Sequence, residues 1–183
     1  MEKEPQDPLT EFPKVPMDII DQLTKDYLED PNEERTYGLV DALKEENPNL
    51  AKLIREGAGK GEYGDPELFV FGASFVYKAL SVTFKRHGVK LPQVSEQTVE
   101  AWKAQWDEIY GRLPLNPLLD EIEEVNKTVE ASYPMSPTRR HKQPDLINFL
   151  LSGPQEITTG GLLIYELVQR QFDSNNLSKF FPL

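Results

Sequence analysis

The sequence predicts an all-α protein in which about seven helices form a compact bundle. Apolar residues recur every three or four positions along most of the chain, which is the period of a helix with one buried face. No long stretch alternates apolar and polar residues in the way of a half-buried strand. Several prolines directly follow a capping or amide side chain, and such pairs favour helix starts because proline in the first turn loses no hydrogen bond. The pairs are Asp30-Pro31, Asn47-Pro48, Asp65-Pro66, Asn116-Pro117 and Gln143-Pro144.

The first half of the chain contains four predicted helices. Their ranges are residues 17–29, 32–46, 48–56 and 66–87. The first helix places Ile20 and Leu23 on one face, whereas the fourth is apolar on two faces, one carrying Phe75 and the other Phe69. A helix with two apolar faces needs neighbours on both sides, so we expect the fourth helix at the centre of the bundle.

The second half adds a helix that Ser95 caps and three further helices. The helix after Ser95 carries Trp102 and Trp106 one turn apart, and we interpret both side chains as core residues rather than a binding platform. The later helices cover residues 117–131, 144–151 and 158–173.

A weak internal repeat relates the two halves. Segment 72–80 aligns without gaps to segment 160–168, and an amide-proline pair precedes each of them. We therefore predict two duplicated helical subdomains, residues 17–92 and 95–183, packed through their long buried helices. The alternative is chance similarity between two buried amphipathic helices.

Each copy of the repeat begins with small residues, Gly72 in the first and Gly160 in the second. Glycine inside a helix costs about 1 kcal/mol relative to alanine, so we expect a compensating close approach in which the long helices cross near these glycines. If the helices pack antiparallel, Lys78 and Asp173 can form an ion pair between them.

Negative charge is concentrated at the start of the chain. The 183 residues carry a formal net charge of −11, of which residues 1–50 account for −9. Residues 1–16 hold four prolines and little apolar periodicity, so we predict a flexible acidic arm ahead of a single helical domain at 17–183. The arm lacks the basic and apolar regions of a signal peptide, and the acidic balance argues against phosphate neutralisation. We expect a soluble cytoplasmic protein that binds neither nucleic acid nor membrane.

Few residues offer chemistry. The chain has no cysteine and two histidines, which excludes disulfides and thiol catalysis and leaves little for imidazole metal sites. Segment 57–64 is glycine-rich, but it lacks the earlier glycine and the following Ser or Thr of a phosphate-binding loop. The carboxylates of helix 117–131 have no histidine at the spacing of a di-iron motif. We therefore expect no cofactor and no metal site.

Two segments are candidates for contact with a partner. Segment 136–142 is the most basic stretch, and segment 177–183 is an apolar cluster. The candidate contact residues are Arg139, Arg140, Lys142, Phe180 and Phe181. The alternatives are a solvated loop for the first segment and a tail folded back over the core for the second.

These observations lead to three hypotheses about function. The first is a non-catalytic module that binds a protein partner or a second copy of itself, because no motif supplies a nucleophile, a metal site or a cofactor cradle. The second is an acidic inhibitor, immunity protein or nucleic-acid mimic that occupies a basic site, with acidic side chains of residues 18–46 as its surface. The third is an enzyme with a carboxylate site around Asp107 or Glu121.

Overall fold

The computed structural model describes residues 9, 11–29, 34–60, 64–110 and 143–180, and these ranges contain seven α-helices and no strand. The helices are α1 (Met17–Leu28), α2 (Glu34–Glu46), α3 (Pro48–Lys60), α4 (Pro66–Arg86), α5 (Glu96–Tyr110), α6 (Pro144–Leu151) and α7 (Gln155–Phe180). They pack around one hydrophobic core, so the predicted all-α bundle is confirmed. The predicted helix 117–131 lies outside the described residues.

Helix α4 lies at the centre of this core. It begins after Asp65, whose carboxylate accepts hydrogen bonds from the N–H groups of Glu67 and Leu68 at 2.9 and 3.3 Å. The chain leaves the helix through Gly88, whose φ of +69° suits a residue without a Cβ atom. Residues 72–77 are all buried, which agrees with the two apolar faces in the sequence.

Helices α4 and α7 form the most extensive helix pair of the fold, and glycines bring their main chains into contact. A Cβ atom on Gly72 would overlap the carbonyl oxygen of Ile157, and one on Gly160 would overlap the carbonyl oxygen of Phe69. Only glycine allows two helix backbones to approach this closely. The predicted crossing near Gly72 and Gly160 is therefore confirmed.

The two long helices run parallel. Gly72 lies against Ile157 at the start of α7, while Phe84 near the end of α4 contacts Phe172 further along α7, with ring centroids 5.9 Å apart. The antiparallel arrangement considered from the sequence, with its lysine–aspartate pair between the helices, is therefore wrong.

The remaining helices pack around this pair. Helices α2 and α3 contact α4, α1 contacts α4 and α6, and α5 contacts α3 and α7. Helix α3 continues to Lys60, one turn beyond the predicted end at residue 56, and α7 extends the predicted range 158–173 at both ends. Trp102 of α5 is buried as predicted, whereas the side chain of Trp106 lies outside the described residues.

Residues 11–16, which we call the strap, pack against the core ahead of α1. Pro13 and Val15 are buried, and Phe12 is half-buried between rings of α4 and α7. This corrects the flexible arm predicted for residues 1–16 over residues 11–16. Leu9 also packs against the core, whereas residues 1–8 and residue 10 lie outside the described residues. A proline-rich segment without apolar periodicity can still be ordered when its apolar side chains pack against a distant part of the chain. Here Phe12 packs against rings of α4 and α7.

Helix α4 is also long and apolar enough to cross a membrane, judged by length and composition among the described residues. However, 61% of its apolar window is buried inside the fold. The core helix of a water-soluble bundle meets the same criterion, so we describe α4 as a core helix.

Candidate functional site

An aromatic slot holds the strap between the two long helices. The ring of Phe12 meets the rings of Phe84, Tyr165 and Phe172 at centroid distances of 5.3, 5.6 and 5.4 Å. All three contacts are edge-to-face, which is a favoured geometry for aromatic pairs. We call Phe84, Tyr165 and Phe172 the slot.

A carboxamide holds the main chain of the strap. Gln143 Oε1 accepts a hydrogen bond from the N–H of Val15 at 2.9 Å, and Gln143 Nε2 donates to the carbonyl of Pro13 at 2.8 Å. The Gln143 side chain is buried and makes no cap bond to α6. The pair Gln143-Pro144 starts a helix as predicted, but its amide serves the strap.

The same arrangement occurs a second time, in residues 89–95, which join α4 to α5 and which we call the linker. Asn47 is buried and precedes α3, as Gln143 precedes α6. Its Oδ1 accepts a hydrogen bond from the N–H of Val94 at 2.7 Å. The neighbouring Asn49 Nδ2 donates to the carbonyl of Val94 at 2.9 Å. Asn47 therefore holds the valine N–H of the linker as Gln143 holds that of the strap, while Asn49 supplies the bond to the linker carbonyl.

The strap and the linker share a sequence pattern of a large apolar residue, a proline, an exposed polar residue and a valine. The two examples are Phe12-Pro13-Lys14-Val15 in the strap and Leu91-Pro92-Gln93-Val94 in the linker. The valine is fully buried in both, and a helix begins two residues later, α1 after the strap and α5 after the linker. This pattern is a sequence signal for the packed strap, and the proline content and acidity of residues 1–16 make it easy to overlook.

The two halves also mirror each other at the crossing of the long helices. The contact between Gly72 and Ile157 is matched by the contact between Gly160 and Phe69, and in each case the equivalent residues are 88 positions apart. The holding side chains are exchanged as well: Gln143 of the second half holds the strap, which precedes the first half, and Asn47 of the first half holds Val94, which precedes the second half. These equivalences favour a duplication, which stays a prediction.

Tyr77 extends the network of Asn47. The Tyr77 hydroxyl donates to Glu46 Oε2 at 2.7 Å and accepts from Asn47 Nδ2 at 3.1 Å. Burial is the main cause that raises the pKa of Tyr77 well above its ordinary value; the hydrogen bond from Asn47 opposes this shift and the Glu46 carboxylate adds to it. The phenol is therefore a fixed donor at neutral pH rather than an acid or base for catalysis.

A third amide fixes the start of α5. Gln171 Oε1 accepts hydrogen bonds from the N–H of Ser95 at 2.9 Å and from the hydroxyl of Thr98 at 2.6 Å. Ser95 Oγ in turn accepts from the N–H of Thr98 at 3.2 Å, which confirms the predicted cap. The buried amide of Gln171 thus positions one helix on another.

A crease of about 30 Å³ lies between α3 and α5, where Lys103 Nζ is 3.7 Å from Glu56 Oε2; this volume holds one or two water molecules. Within the described ranges, no three His, Asp or Glu side chains are placed to hold a metal ion. Ser74 Oγ is buried without a hydrogen-bond partner, so no base activates it as a nucleophile.

The contact residues predicted from the sequence fall outside this site. Arg139, Arg140, Lys142 and Phe181 lie outside the described residues, and Phe180 ends α7 with its side chain outside the described set. The side chains near Asp107 and Glu121 are outside it too. The glycine-rich segment begins within α3, and the slot is a site that the sequence analysis does not predict.

Comparison of the chain with protein-family models, with curated proteins and with solved structures finds no match. The site is therefore interpreted from its own contacts. Those contacts are an aromatic anchor and a carboxamide that bonds to main-chain groups, an arrangement suited to recognising an extended peptide segment.

Proposed function

We propose that this chain is a non-catalytic protein–protein interaction module. One observation carries the proposal: the buried amides of Asn47, Gln143 and Gln171 are all engaged in holding segments of the protein. In an enzyme, buried polar groups converge on a cavity where a substrate sits. Here the space between the long helices is filled by main-chain contact at Gly72 and Gly160.

Two measurements on the full-length protein test this proposal. Affinity capture, followed by reconstitution of the purified pair, is expected to give a complex of defined stoichiometry by light scattering. A thermal-shift screen with common metabolites and metal ions is expected to leave the melting temperature unchanged. A metabolite that raises the melting temperature by several degrees, together with failure to reconstitute any complex, would contradict the proposal.

A second candidate, the acidic inhibitor or nucleic-acid mimic, is supported by exposed carboxylates on α1 and α2. Asp21, Asp41 and Glu45 are all exposed, so they are available to a basic partner. This candidate expects the double variant D21N/D41N to weaken a reconstituted complex and to reduce its salt dependence. The matched control E67Q/E96Q neutralises two exposed acids elsewhere and is expected to have no effect.

A further inference from the structure

We infer that the slot and Gln143 form a docking site for an extended segment of another protein, in which a large apolar residue precedes a proline and a valine follows two positions after it. In the structure the strap occupies this site as a ligand from the same chain. The inference rests on the proposed function and names the kind of partner that the module would bind.

The strap is held by contacts that a separate peptide can also make. Phe12 supplies one aromatic anchor, and both bonds from Gln143 go to main-chain groups, at Pro13 and Val15. Lys14 between them is exposed, so the side chain at that position is free to vary. A segment of this pattern that begins with phenylalanine therefore presents the same anchor and the same main-chain groups.

The linker provides a second example of one of these contacts. It carries the same pattern, and the Oδ1 of Asn47 accepts from the N–H of Val94 as the Oε1 of Gln143 accepts from the N–H of Val15. The second bond differs, because Gln143 Nε2 donates to Pro13 whereas Asn47 Nδ2 donates to Tyr77. The feature that the fold uses twice is therefore a buried carboxamide that accepts from the valine of the pattern.

The strap, unlike the linker, is joined to a described helix at one end alone, so its release would not require a core helix to move. It joins α1 at Pro16, an extended residue whose carbonyl oxygen accepts a hydrogen bond from the N–H of Ile19 at 3.1 Å. Opening of the chain ahead of Pro16 would release the strap while this bond and the packing of α1 on α4 are kept. A tethered segment has an effective concentration in the millimolar range, so a partner must compete with the strap and gains affinity when the strap is weakened.

The test uses the full-length chain and a fluorescein-labelled peptide of residues 9–16, LTEFPKVP. The variant F12A weakens the strap, and fluorescence anisotropy is expected to show saturable binding about tenfold or more tighter than to the unsubstituted protein. The peptide LTEAPKVP, which lacks the aromatic anchor, is expected to bind neither protein. The double variant F12A/Q143A is expected to lose most of the binding, because the carboxamide bonds are gone.

The linker supplies the matched control. The variant L91A makes the equivalent change in the second copy of the pattern but leaves the strap in the slot, so its peptide binding is expected to match that of the unsubstituted protein. If F12A does not fold cooperatively, F12L takes its place, because leucine keeps the anchor apolar while losing the three ring contacts.

Three results would overturn the inference. The first is a folded F12A or F12L variant that shows no saturable binding up to roughly 1 mM peptide. The second is binding that Q143A leaves unchanged. The third is a dimer of the unsubstituted protein that depends on Phe12, because a second copy's strap would then be the occupant. A complex that reconstitutes equally well with all slot variants would overturn this docking site while leaving the proposed interaction function intact.

Discussion

The strap and the linker share one kind of hydrogen bond but differ in how the chain connects them to the helices. Each presents a fully buried valine, Val15 or Val94, whose N–H donates to the buried carboxamide of Gln143 or Asn47. The linker joins two core helices, so it leaves Asn47 only if α4 or α5 moves. The strap is joined to the described core through α1 alone. We therefore expect the two valine N–H groups to be protected unequally, because the cost of opening depends on what else must move.

The largest expected effect comes from disrupting the contact between α4 and α7, on which the positions of both segments depend. The substitutions G72A and G160A each place a Cβ atom on a carbonyl oxygen of the other long helix, which neither backbone can avoid without separating. We expect each to lower the free energy of unfolding by at least about 3 kcal/mol, measured by urea denaturation.

The matched control is G59A, a helical position with no atom within 4 Å of an added Cβ. It is expected to be neutral or to stabilise by up to about 1 kcal/mol. The equivalence of the two halves also requires G72A and G160A to have similar effects. One of them behaving like G59A would contradict the crossing.

The next largest effect is expected from removing the hydrogen bond between Asn47 and the linker. The substitution N47A leaves the buried N–H of Val94 without its acceptor and Tyr77 without a donor, so we expect a loss of about 2–3 kcal/mol in the free energy of unfolding. The control N49A removes the partly buried hydrogen bond to the carbonyl of the same residue, and we expect it to lower the free energy of unfolding by about 1 kcal/mol. Equal losses for the two variants would show that the buried N–H finds another partner.

The corresponding change for the strap is expected to be smaller. In Q143A the N–H of Val15 and the carbonyl of Pro13 lose their partner, but the strap can open and hydrate both groups. We therefore expect a loss of about 1 kcal/mol by urea denaturation, together with faster proteolysis ahead of α1. A loss as large as that of N47A would contradict the difference between the two segments.

The smallest effect is confined to alkaline pH. Burial raises the pKa of Tyr77 in the folded state, so folding is favoured below the ordinary pKa of about 10 and this contribution is lost as pH rises through the folded value. We expect the unsubstituted protein to lose stability above about pH 10 more steeply than Y77F does. The control Y165F removes a different hydroxyl, which is bonded to Gln169, and leaves Tyr77 in place. Equal slopes of unfolding free energy against pH for the unsubstituted protein and Y77F would contradict the assignment.

The helices were predictable because their signals are local. Pro48, Pro66 and Pro144 each lie at the start of a helix as the amide-proline and Asp-proline pairs predict, and Gly72 and Gly160 mark the crossing. A start signal needs only neighbouring residues, and a glycine within an apolar helix has few purposes other than close approach.

The candidate site was not predictable in the same way, because its contacts join distant residues. The hydrogen bond from Val15 to Gln143 links residues 128 positions apart, and nothing local distinguishes that glutamine from a surface residue. The direction of α7 relative to α4 likewise depends on the path of the intervening chain. The sequence does contain a related signal, the repeated apolar-proline-polar-valine pattern. Its meaning becomes clear only in the structure, where the valine of each copy donates a hydrogen bond to a buried carboxamide.

Native-state hydrogen exchange of two amides tests this account most directly. The N–H groups of Val15 and Val94 both donate to buried carboxamides, so neither exchanges with solvent in the closed state and each must wait for an opening. We predict that the Val94 amide exchanges only through global unfolding, with a free energy that falls steeply with added denaturant, whereas the Val15 amide exchanges through a local opening of lower free energy that denaturant barely changes. Equal protection and equal denaturant dependence for the two amides would contradict the claim that the strap opens on its own.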